Sequence, residues 1–254
     1  MDMNSVRAYW EARAMTDSSA QSTTQDVYLR QIELQVLSER ISFSRPAIVA
    51  DLGCGDGRTT ISLARQSPYT EFVGYDYSDA MVANAQNLLA KSDKNVEFYV
   101  HDATSPLPRN VDLVYTTRCL INLPSWDLQQ RAIRNIWKAL PTGGTYIAIE
   151  NFVEGHNSFN EVRAEFGLPE IPIREHNLFF NREQLAEFVS GLFSIDYEVN
   201  ISSTYYLVSR VHYSKLCADT GATPDYFDMS HAYASRLPFS GEFGPVRLMC
   251  LRKV

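Results

Sequence analysis

Residues 48–57, Ile-Val-Ala-Asp-Leu-Gly-Cys-Gly-Asp-Gly, constrain the fold of this chain more than any other stretch. An apolar run leads to Asp51, three glycines follow at alternate positions, and a helix-like pattern covers residues 58–65. This order predicts a buried parallel strand, a tight turn and a helix. Glycines in such a turn let the backbone pass close beneath a ligand, because a Cβ atom would block the approach.

The turn differs from a dinucleotide-binding turn in two respects. Its glycine spacing is G-x-G-x-G rather than G-x-G-x-x-G, and the carboxylate of Asp51 precedes the first glycine. Phosphates bind at helix N-termini, where a neighbouring carboxylate would repel them. An acid in this position suits a cationic ligand such as S-adenosylmethionine (SAM), which carries an ammonium and a sulfonium but no phosphate. The pattern therefore disfavours an NAD-dependent oxidoreductase.

Strand and helix patterns alternate as far as residue 151. The five predicted strands cover residues 47–52, 71–76, 96–100, 111–116 and 145–150. The helices between them include one from an N-cap at Ser78 to about residue 90 and one at 126–140. Alternation of this kind indicates a parallel sheet covered by helices on both faces.

The segment before the first strand is predicted to contain two helices. They cover about residues 4–14 and a run from Asp26 through Ile41 with apolar residues at helical spacing. Residues 16–25 between them are polar and contain no core residue, which predicts a flexible loop that could act as a lid.

The alternation stops after Glu150. Two short helical patterns, at about 158–166 and 182–190, flank a loop rich in proline and asparagine. Beyond them we predict a sixth strand at 193–199, a helix at 204–217 and a closing strand at 246–254.

Residues 51–57, Asp-Leu-Gly-Cys-Gly-Asp-Gly, resemble the first motif of the class I SAM-dependent methyltransferases. Residues 143–151, Gly-Gly-Thr-Tyr-Ile-Ala-Ile-Glu-Asn, resemble the strand-five motif of that family. The resemblance, which covers about residues 45–151, implies a doubly wound α/β fold with a mostly parallel seven-stranded sheet and an antiparallel last strand. We therefore expect one domain over residues 1–254, made of N-terminal helices and a lid (1–44), a SAM-binding core (45–151), a substrate-side helical insertion (152–192) and C-terminal strands and helix (193–254).

The resemblance implies that acids at the strand ends bind the nucleoside of SAM. Asp76 ends the second strand and matches the acid that accepts both ribose hydroxyls, the alternative being a turn or helix-capping aspartate. Asp102 matches the acid that accepts from the adenine amine. Tyr77 and Met81 are placed to flank the adenine, and a plain surface position is the alternative for Tyr77. The predicted cofactor residues are Tyr9, Trp10, Asp51, Gly53, Cys54, Gly55, Arg58, Asp76, Tyr77, Met81, Asp102, Ala103 and Thr117.

Three residues are candidates for catalysis at the acceptor. Glu150 is a candidate general base or hydroxyl anchor, with an ion pair to an insertion arginine such as Arg163 as the alternative. His176 could deprotonate a hydroxyl near neutral pH or be a hydrogen-bonded structural group. Arg118 could hold an acidic substrate group bidentately or be salt-bridged or solvated. The predicted substrate-binding residues are Asn122, Arg163, Asn177, Tyr206 and Arg210.

A looser similarity involves three short segments. Tyr9-Trp10-x-x-Arg13, residues 118–123 and His176-Asn177 resemble methyltransferases of bacterial surface-glycan and secondary-metabolite pathways. This similarity favours a small polar acceptor.

Composition excludes several classes of function. The net charge is −7 and neither half of the chain is basic, which argues against a nucleic-acid partner. No apolar run approaches the roughly 20 residues of a membrane span, and the N-terminus lacks a secretory pattern. The 4 cysteines form no C-x-x-C pair or metal-ligand spacing, so we expect reduced thiols, no metal and a cytoplasmic location.

The sequence therefore predicts a SAM-dependent methyltransferase acting on a small polar metabolite. We expect O-methylation of a sugar, sugar acid or related biosynthetic intermediate. The alternatives are an N-methyltransferase and a non-catalytic SAM-binding protein of the same fold. The sequence leaves the oligomeric state open between a monomer and a homodimer.

Overall fold

Two helices precede the sheet. The structure, a computed structural model, describes residues 2–17, 19 and 21–254. Helix α1 covers Met3–Thr16 and α2 covers Val27–Ser44. Each helix begins at an aspartate whose side chain accepts from the backbone three residues on, since Asp2 accepts from Ser5 N and Asp26 from Leu29 N. These caps satisfy N–H groups that have no partner within the helix.

A single seven-stranded sheet forms the centre of the structure. Its strands are β1 (Ile48–Leu52), β2 (Glu71–Asp76), β3 (Val96–Val100), β4 (Leu113–Thr117), β5 (Thr145–Asn151), β6 (Phe193–Asn200) and β7 (Val246–Lys253). The spatial order is β3-β2-β1-β4-β5-β7-β6. β1 to β5 are parallel, and β7 runs antiparallel to both β5 and β6. The predicted fold class, with its antiparallel last strand, is confirmed.

Helices cover both faces of the sheet. They are α3 (Arg58–Gln66), α4 (Asp79–Asn87), α5 (Trp126–Ala139), α6 (Val153–Glu165), α7 (Arg182–Val189), α8 (Ser203–Tyr206), α9 (Tyr213–Thr220) and α10 (Met229–Ala234). Successive residues of β1 belong to different cores: Val49 packs in the cluster that contains Leu37 of α2, and Ala50 packs in the cluster that contains Ile136 of α5. Burial on both faces explains why β1 is a continuous apolar run before Asp51.

The chain after β5 differs from its predicted boundaries. Helix α6 begins at Val153, five residues before the predicted start at residue 158. The sequence pattern did not reveal this first turn because it contains Gly155, and glycine weakens a helical pattern. The structure requires glycine at this position, since a Cβ atom here would lie 2.2 Å from the carbonyl oxygen of Gly244. The predicted helix at 204–217 is α8 and α9 joined by a π-helical turn, Leu207–His212, and α10 was not predicted.

The hydrophobic core contains none of the described residues of 16–25, as predicted, but polar residues of this segment are buried. Ser22 is fully buried and Thr24 is nearly so. The Ser22 hydroxyl donates to Asp56 of the glycine loop, 2.9 Å away. Polar side chains are buried readily once their hydrogen bonds are made, which a hydrophobicity pattern does not show. Ser18 and Ala20, which belong to the same predicted loop, lie outside the described residues.

Candidate active site

The glycine loop lies at the carboxyl end of β1 and touches two other loops. Gly53 and Gly55 have φ of +87° and +53°, a backbone region that favours glycine. A Cβ atom at Gly53 would lie 2.3 Å from Cys119 Sγ, and one at Gly55 would lie 2.8 Å from Thr23 Cγ2. The absence of side chains therefore lets the loop after β4 and the N-terminal segment close on this turn.

Two buried carboxylates face the same turn. Asp51 accepts from Thr60 Oγ1 (2.5 Å) and Tyr115 OH (2.8 Å), and burial raises its pKa to about 7. Asp76 accepts from the backbone N–H of Gly55 and of Ser78, each at 2.9 Å, and burial raises its pKa to about 6. Neither forms an ion pair with a cation among the described residues. A ligand that brings positive charge or hydroxyl donors would therefore stabilise their ionised forms.

These groups open into a cavity of about 500 Å³ at the carboxyl ends of the strands. The predicted cofactor residues that line it are Tyr9, Trp10, Asp51, Gly53, Cys54, Gly55, Asp76, Tyr77, Met81 and Thr117. Three polar atoms of its wall, Tyr77 OH, Thr117 Oγ1 and Asn151 Oδ1, are buried without a partner in the described part of the chain. Such atoms are costly to leave unsatisfied, so their presence fits a polar ligand that bonds them.

Three predicted cofactor residues lie outside this cavity wall. Asp102 lines a smaller neighbouring cavity of about 190 Å³, which it shares with Tyr77 and with Arg7 of α1. Arg58 instead donates Nε to Asp56 at 3.2 Å. Ala103 packs against the hydrophobic cluster on the α5 face of the sheet.

Glu150 also lies outside the cavity wall. Its carboxylate is buried and accepts from the backbone N–H groups of Cys119 (3.2 Å), Leu120 (3.0 Å) and Ile121 (3.4 Å). Burial raises its pKa to about 7. The carboxylate therefore anchors the loop after β4, and it does not reach the cavity as the predicted base would have to.

The predicted alternative for Glu150, an ion pair with Arg163, is also not formed. Arg163 is buried, does not line the cavity, and donates to the carbonyl oxygens of Pro169 and Arg210. It therefore ties α6 to the π-helical turn, and the structure does not bring it to a position where it could bind an acceptor.

Three arginines of the cavity wall are paired with carboxylates. Arg118 forms an ion pair with the buried Glu33 (2.7 Å), and its backbone has φ +49°. Arg30 lies 3.9 Å from Asp56, and Arg210 forms an ion pair with Asp26. The salt-bridged alternative for Arg118 is thus the one that the structure shows, and these three arginines bring little uncompensated charge into the cavity.

A cluster of aromatic rings at the cavity wall joins α1 to the insertion. The rings of Tyr9 and His176 stack at 4.5 Å, and the ring of Trp10 lies edge-on to His176 at 6.0 Å. Trp10 Nε1 donates to Asn122 Oδ1 at 3.3 Å. The predicted substrate-side residues that line the cavity are Arg118, Asn122, His176, Asn177, Tyr206 and Arg210.

His176 lies in a positive local field. Burial lowers its pKa, and the charges of Arg174 and then Arg13 lower it further, while Glu175 opposes them. Arg13 donates to the carbonyl oxygens of Gln21 and Ser22, each at 2.8 Å. The imidazole is therefore neutral at pH 7 and could accept a proton only weakly.

Comparisons with known proteins agree with this geometry. Residues 49–144 match a family model described as a methyltransferase domain. Malonyl-[acyl-carrier protein] O-methyltransferase of Bacillus cereus is 28% identical over 188 residues, which are 69% of this chain and 64% of that protein. Trans-aconitate 2-methyltransferase of Variovorax paradoxus is 33% identical over 112 residues, 43% of this chain and 40% of that protein. The chain thus spans less than two thirds of the length of these relatives.

A solved structure shares the fold over the whole chain. Magnesium protoporphyrin IX methyltransferase from Synechocystis PCC 6803, crystallised with bound SAH, aligns with a TM-score of 0.64 over 100% of both chains at 17% identity. Residues 49–144 are a methyltransferase domain, and the chain has the fold of the class I SAM-dependent methyltransferases. The resemblance stated from residues 51–57 and 143–151 is thereby confirmed.

Several residues outside the matched domain line the cavity and were not among the predicted site residues. Glu33 and Asp26 lie on or before α2, and the apolar spacing of that helix gave no sign that its acids face a cavity. Arg174 lies in the insertion loop, where no periodic pattern exists. Arg13 was named in the Tyr9-Trp10-x-x-Arg13 similarity but not assigned to the site, although it follows Tyr9 by one helical turn and the two therefore share a face of α1.

One property of the helices bears on where the domain could reside. Across the described residues, no helix combines the length and the apolar character that crossing a membrane requires.

Proposed function

We propose that this methyltransferase domain transfers a methyl group from SAM to an oxygen atom of a small polar metabolite that carries an acid group. The observation that supports the proposal most strongly is a single cavity that joins the glycine loop and its two free carboxylates to the polar side chains of the insertion. A cofactor and an acceptor bound in one enclosed space meet the main requirement for direct group transfer, which is orientation.

The residues around the glycine loop would hold the cofactor. Asp76, which already accepts from two backbone N–H groups, has its carboxylate at the strand end where ribose hydroxyls bind in related folds. Asp51 supplies negative charge beneath the loop, and Tyr77 lies between the main cavity and the smaller one that contains Asp102. When bound, SAM supplies an electrophilic methyl group on a sulfonium, so no metal is required.

The N-terminal segment and the insertion would hold the acceptor. Tyr9 and Trp10 of α1 contact His176 of the insertion, and together they close one side of the cavity. Enclosure keeps water away from the reacting atoms. This arrangement supports the predicted division of the chain, in which residues 1–44 form N-terminal helices and a lid and residues 152–192 form a substrate-side insertion, and it extends the role of the N-terminal helices to the acceptor.

The acid group in the proposal has two sources of support. The two relatives described above are named for malonyl and trans-aconitate acceptors, both of which carry carboxylates. In addition, Arg13 and Arg174 line the cavity and form no ion pair among the described residues, whereas the carboxylates Asp26 and Glu33 are held in ion pairs. Among the predicted acceptors, a sugar acid or related organic acid is therefore favoured over a neutral sugar.

The proposal is tested with SAM that carries a trideuterated methyl group. Purified protein is incubated with this cofactor and a panel of sugar acids, di- and tricarboxylic acids, neutral sugars and amines. Mass spectrometry should show a CD3 group on an oxygen of an acid and an equal amount of S-adenosylhomocysteine. Transfer to an amine would contradict the assignment to oxygen, and SAM binding without transfer to any class would favour a non-catalytic SAM-binding protein.

A further inference from the structure

Arg174 differs from the other arginines of the cavity wall. It lies in the loop between α6 and α7, and its side chain lines the cavity. Within the part of the chain that the structure describes, no carboxylate forms an ion pair with its guanidinium and no side-chain or backbone oxygen accepts from it. Arg174 is exposed, so it brings a positive charge to the cavity wall that no carboxylate among the described residues pairs with.

Arg13 adds a second positive charge to the wall of the same cavity. Two of its N–H groups donate to the carbonyl oxygens of Gln21 and Ser22, which are neutral acceptors. A guanidinium has five N–H donors, so this arrangement orients Arg13 without neutralising it and leaves donors for a ligand. The loop that holds Arg13 is itself fixed, because Ser22 donates to Asp56.

The charges of Arg174 and Arg13 both act on the imidazole of His176. Its pKa is lowered by both Arg174 and Arg13, and its ring stacks on Tyr9, one helical turn before Arg13. The imidazole is nine-tenths buried and lines the cavity. Two guanidinium groups and an imidazole therefore face a common volume at the side of the cavity formed by α1 and the insertion.

We infer that Arg13, Arg174 and His176 form an anion subsite that binds a carboxylate of the acceptor. Guanidinium groups bind planar carboxylates through paired, charge-assisted hydrogen bonds. The inference rests on the proposed function, since it assigns the acceptor to the organic acids and names the residues that select it. The paired arginines Arg118 and Arg210 would contribute shape rather than charge.

The subsite predicts which ligands bind and which do not. An acid should bind, and the same molecule with its carboxylates converted to methyl esters should not, because the ester removes the charge while retaining most of the shape. A neutral sugar should bind weakly for the same reason. Inorganic phosphate serves as a probe for an anion of different geometry and higher charge.

The test measures binding directly by isothermal titration in the presence of S-adenosylhomocysteine. The probes are malonate, trans-aconitate and glucuronate, each with its methyl ester, and inorganic phosphate. We expect at least one acid to bind and its methyl ester to bind much more weakly. Arg174→Gln should lower the affinity for the acid by about tenfold or more, which is the effect of losing a charge-assisted hydrogen bond. Arg174→Gln removes no described contact within the protein, so its fold should be unchanged.

Two controls separate this inference from the proposed function. Arg131→Gln alters an exposed arginine of α5 that lies outside the cavity wall and should leave acid affinity unchanged. Binding of S-adenosylhomocysteine should be equal in wild type and in Arg174→Gln, and its failure in wild type would overturn the proposed function alone. If no acid binds, if acid and ester bind alike, if phosphate binds in place of the acids, or if Arg174→Gln binds acids as wild type does, the carboxylate subsite is refuted.

Discussion

Substitutions of Glu150 distinguish two possible roles of its carboxylate, which are anchoring the loop after β4 and accepting a proton as a general base. Its two carboxylate oxygens accept from three consecutive backbone N–H groups at residues 119–121. The same segment supplies Cys119, Ile121 and Asn122 to the cavity wall. We therefore expect Glu150 to act on methyl transfer only through the position of this loop.

The structure gives the expected size of each effect. Glu150→Ala leaves three backbone N–H groups, two of them buried, without an acceptor, and each buried group costs about 1–3 kcal/mol. The total destabilisation is smaller than the sum of these costs, because alanine also removes the cost of burying a carboxylate. That burial is what raises the pKa of Glu150 to about 7. We expect a net loss of about 2–4 kcal/mol in the free energy of unfolding. Glu150→Gln keeps one acceptor oxygen and should lose about 0.5–1.5 kcal/mol.

Urea unfolding at pH 8 and turnover at saturating SAM measure these effects. Glu150→Gln should keep turnover within about tenfold of wild type, because it removes no general base. Glu161→Gln, at an exposed position of α6, is the matched control and should change neither quantity. The anchoring role is refuted if Glu150→Gln unfolds like wild type but its turnover falls by a factor of about 10²–10⁴, which is the effect of losing a general base.

Three further predictions concern the cofactor end. Asp76→Ala should weaken SAM binding by about 1.5–3 kcal/mol in a calorimetric titration, and unchanged affinity would make Asp76 only a turn residue. Because burial raises the pKa of Asp51 from 3.8 to about 7, the folded state favours its protonated form, so stability from this group is lost as pH rises from 4 to 7. The unfolding free energy of Asp51→Asn should therefore decrease less than that of wild type over this pH range, and an equal decrease in the two proteins would contradict the raised pKa of Asp51. Amide hydrogen exchange in residues 21–26 should slow when S-adenosylhomocysteine binds, because this segment closes on the glycine loop, and unchanged exchange would argue against a lid.

The core of the fold was predictable because its signals are local. The strand before Gly53 is a continuous apolar run, since both of its faces are covered, and the glycines that follow have the positive φ that the turn requires. The end of β2 at Asp76 and the N-cap at Ser78 follow from the same kind of pattern. These features depend on neighbours in sequence, so periodicity and turn chemistry reveal them.

The acceptor side was less predictable because its contacts are distant in sequence. Glu150 lies at a strand end, where catalytic acids are common, and only the fold shows that the backbone of residues 119–121 turns back to bond it. The pairing of Arg118 with Glu33 joins positions 85 residues apart. Polar residues 21–26 resembled a free loop because burial through hydrogen bonds leaves no hydrophobic pattern.

The proposed methyl transfer requires that the cavity beside the glycine loop binds SAM. Isothermal titration of the purified protein with SAM and, separately, with NAD tests this claim most directly. The free carboxylates of Asp51 and Asp76 and the spacing of the glycines predict micromolar binding of SAM and no measurable binding of NAD. Binding of NAD without binding of SAM would contradict the account.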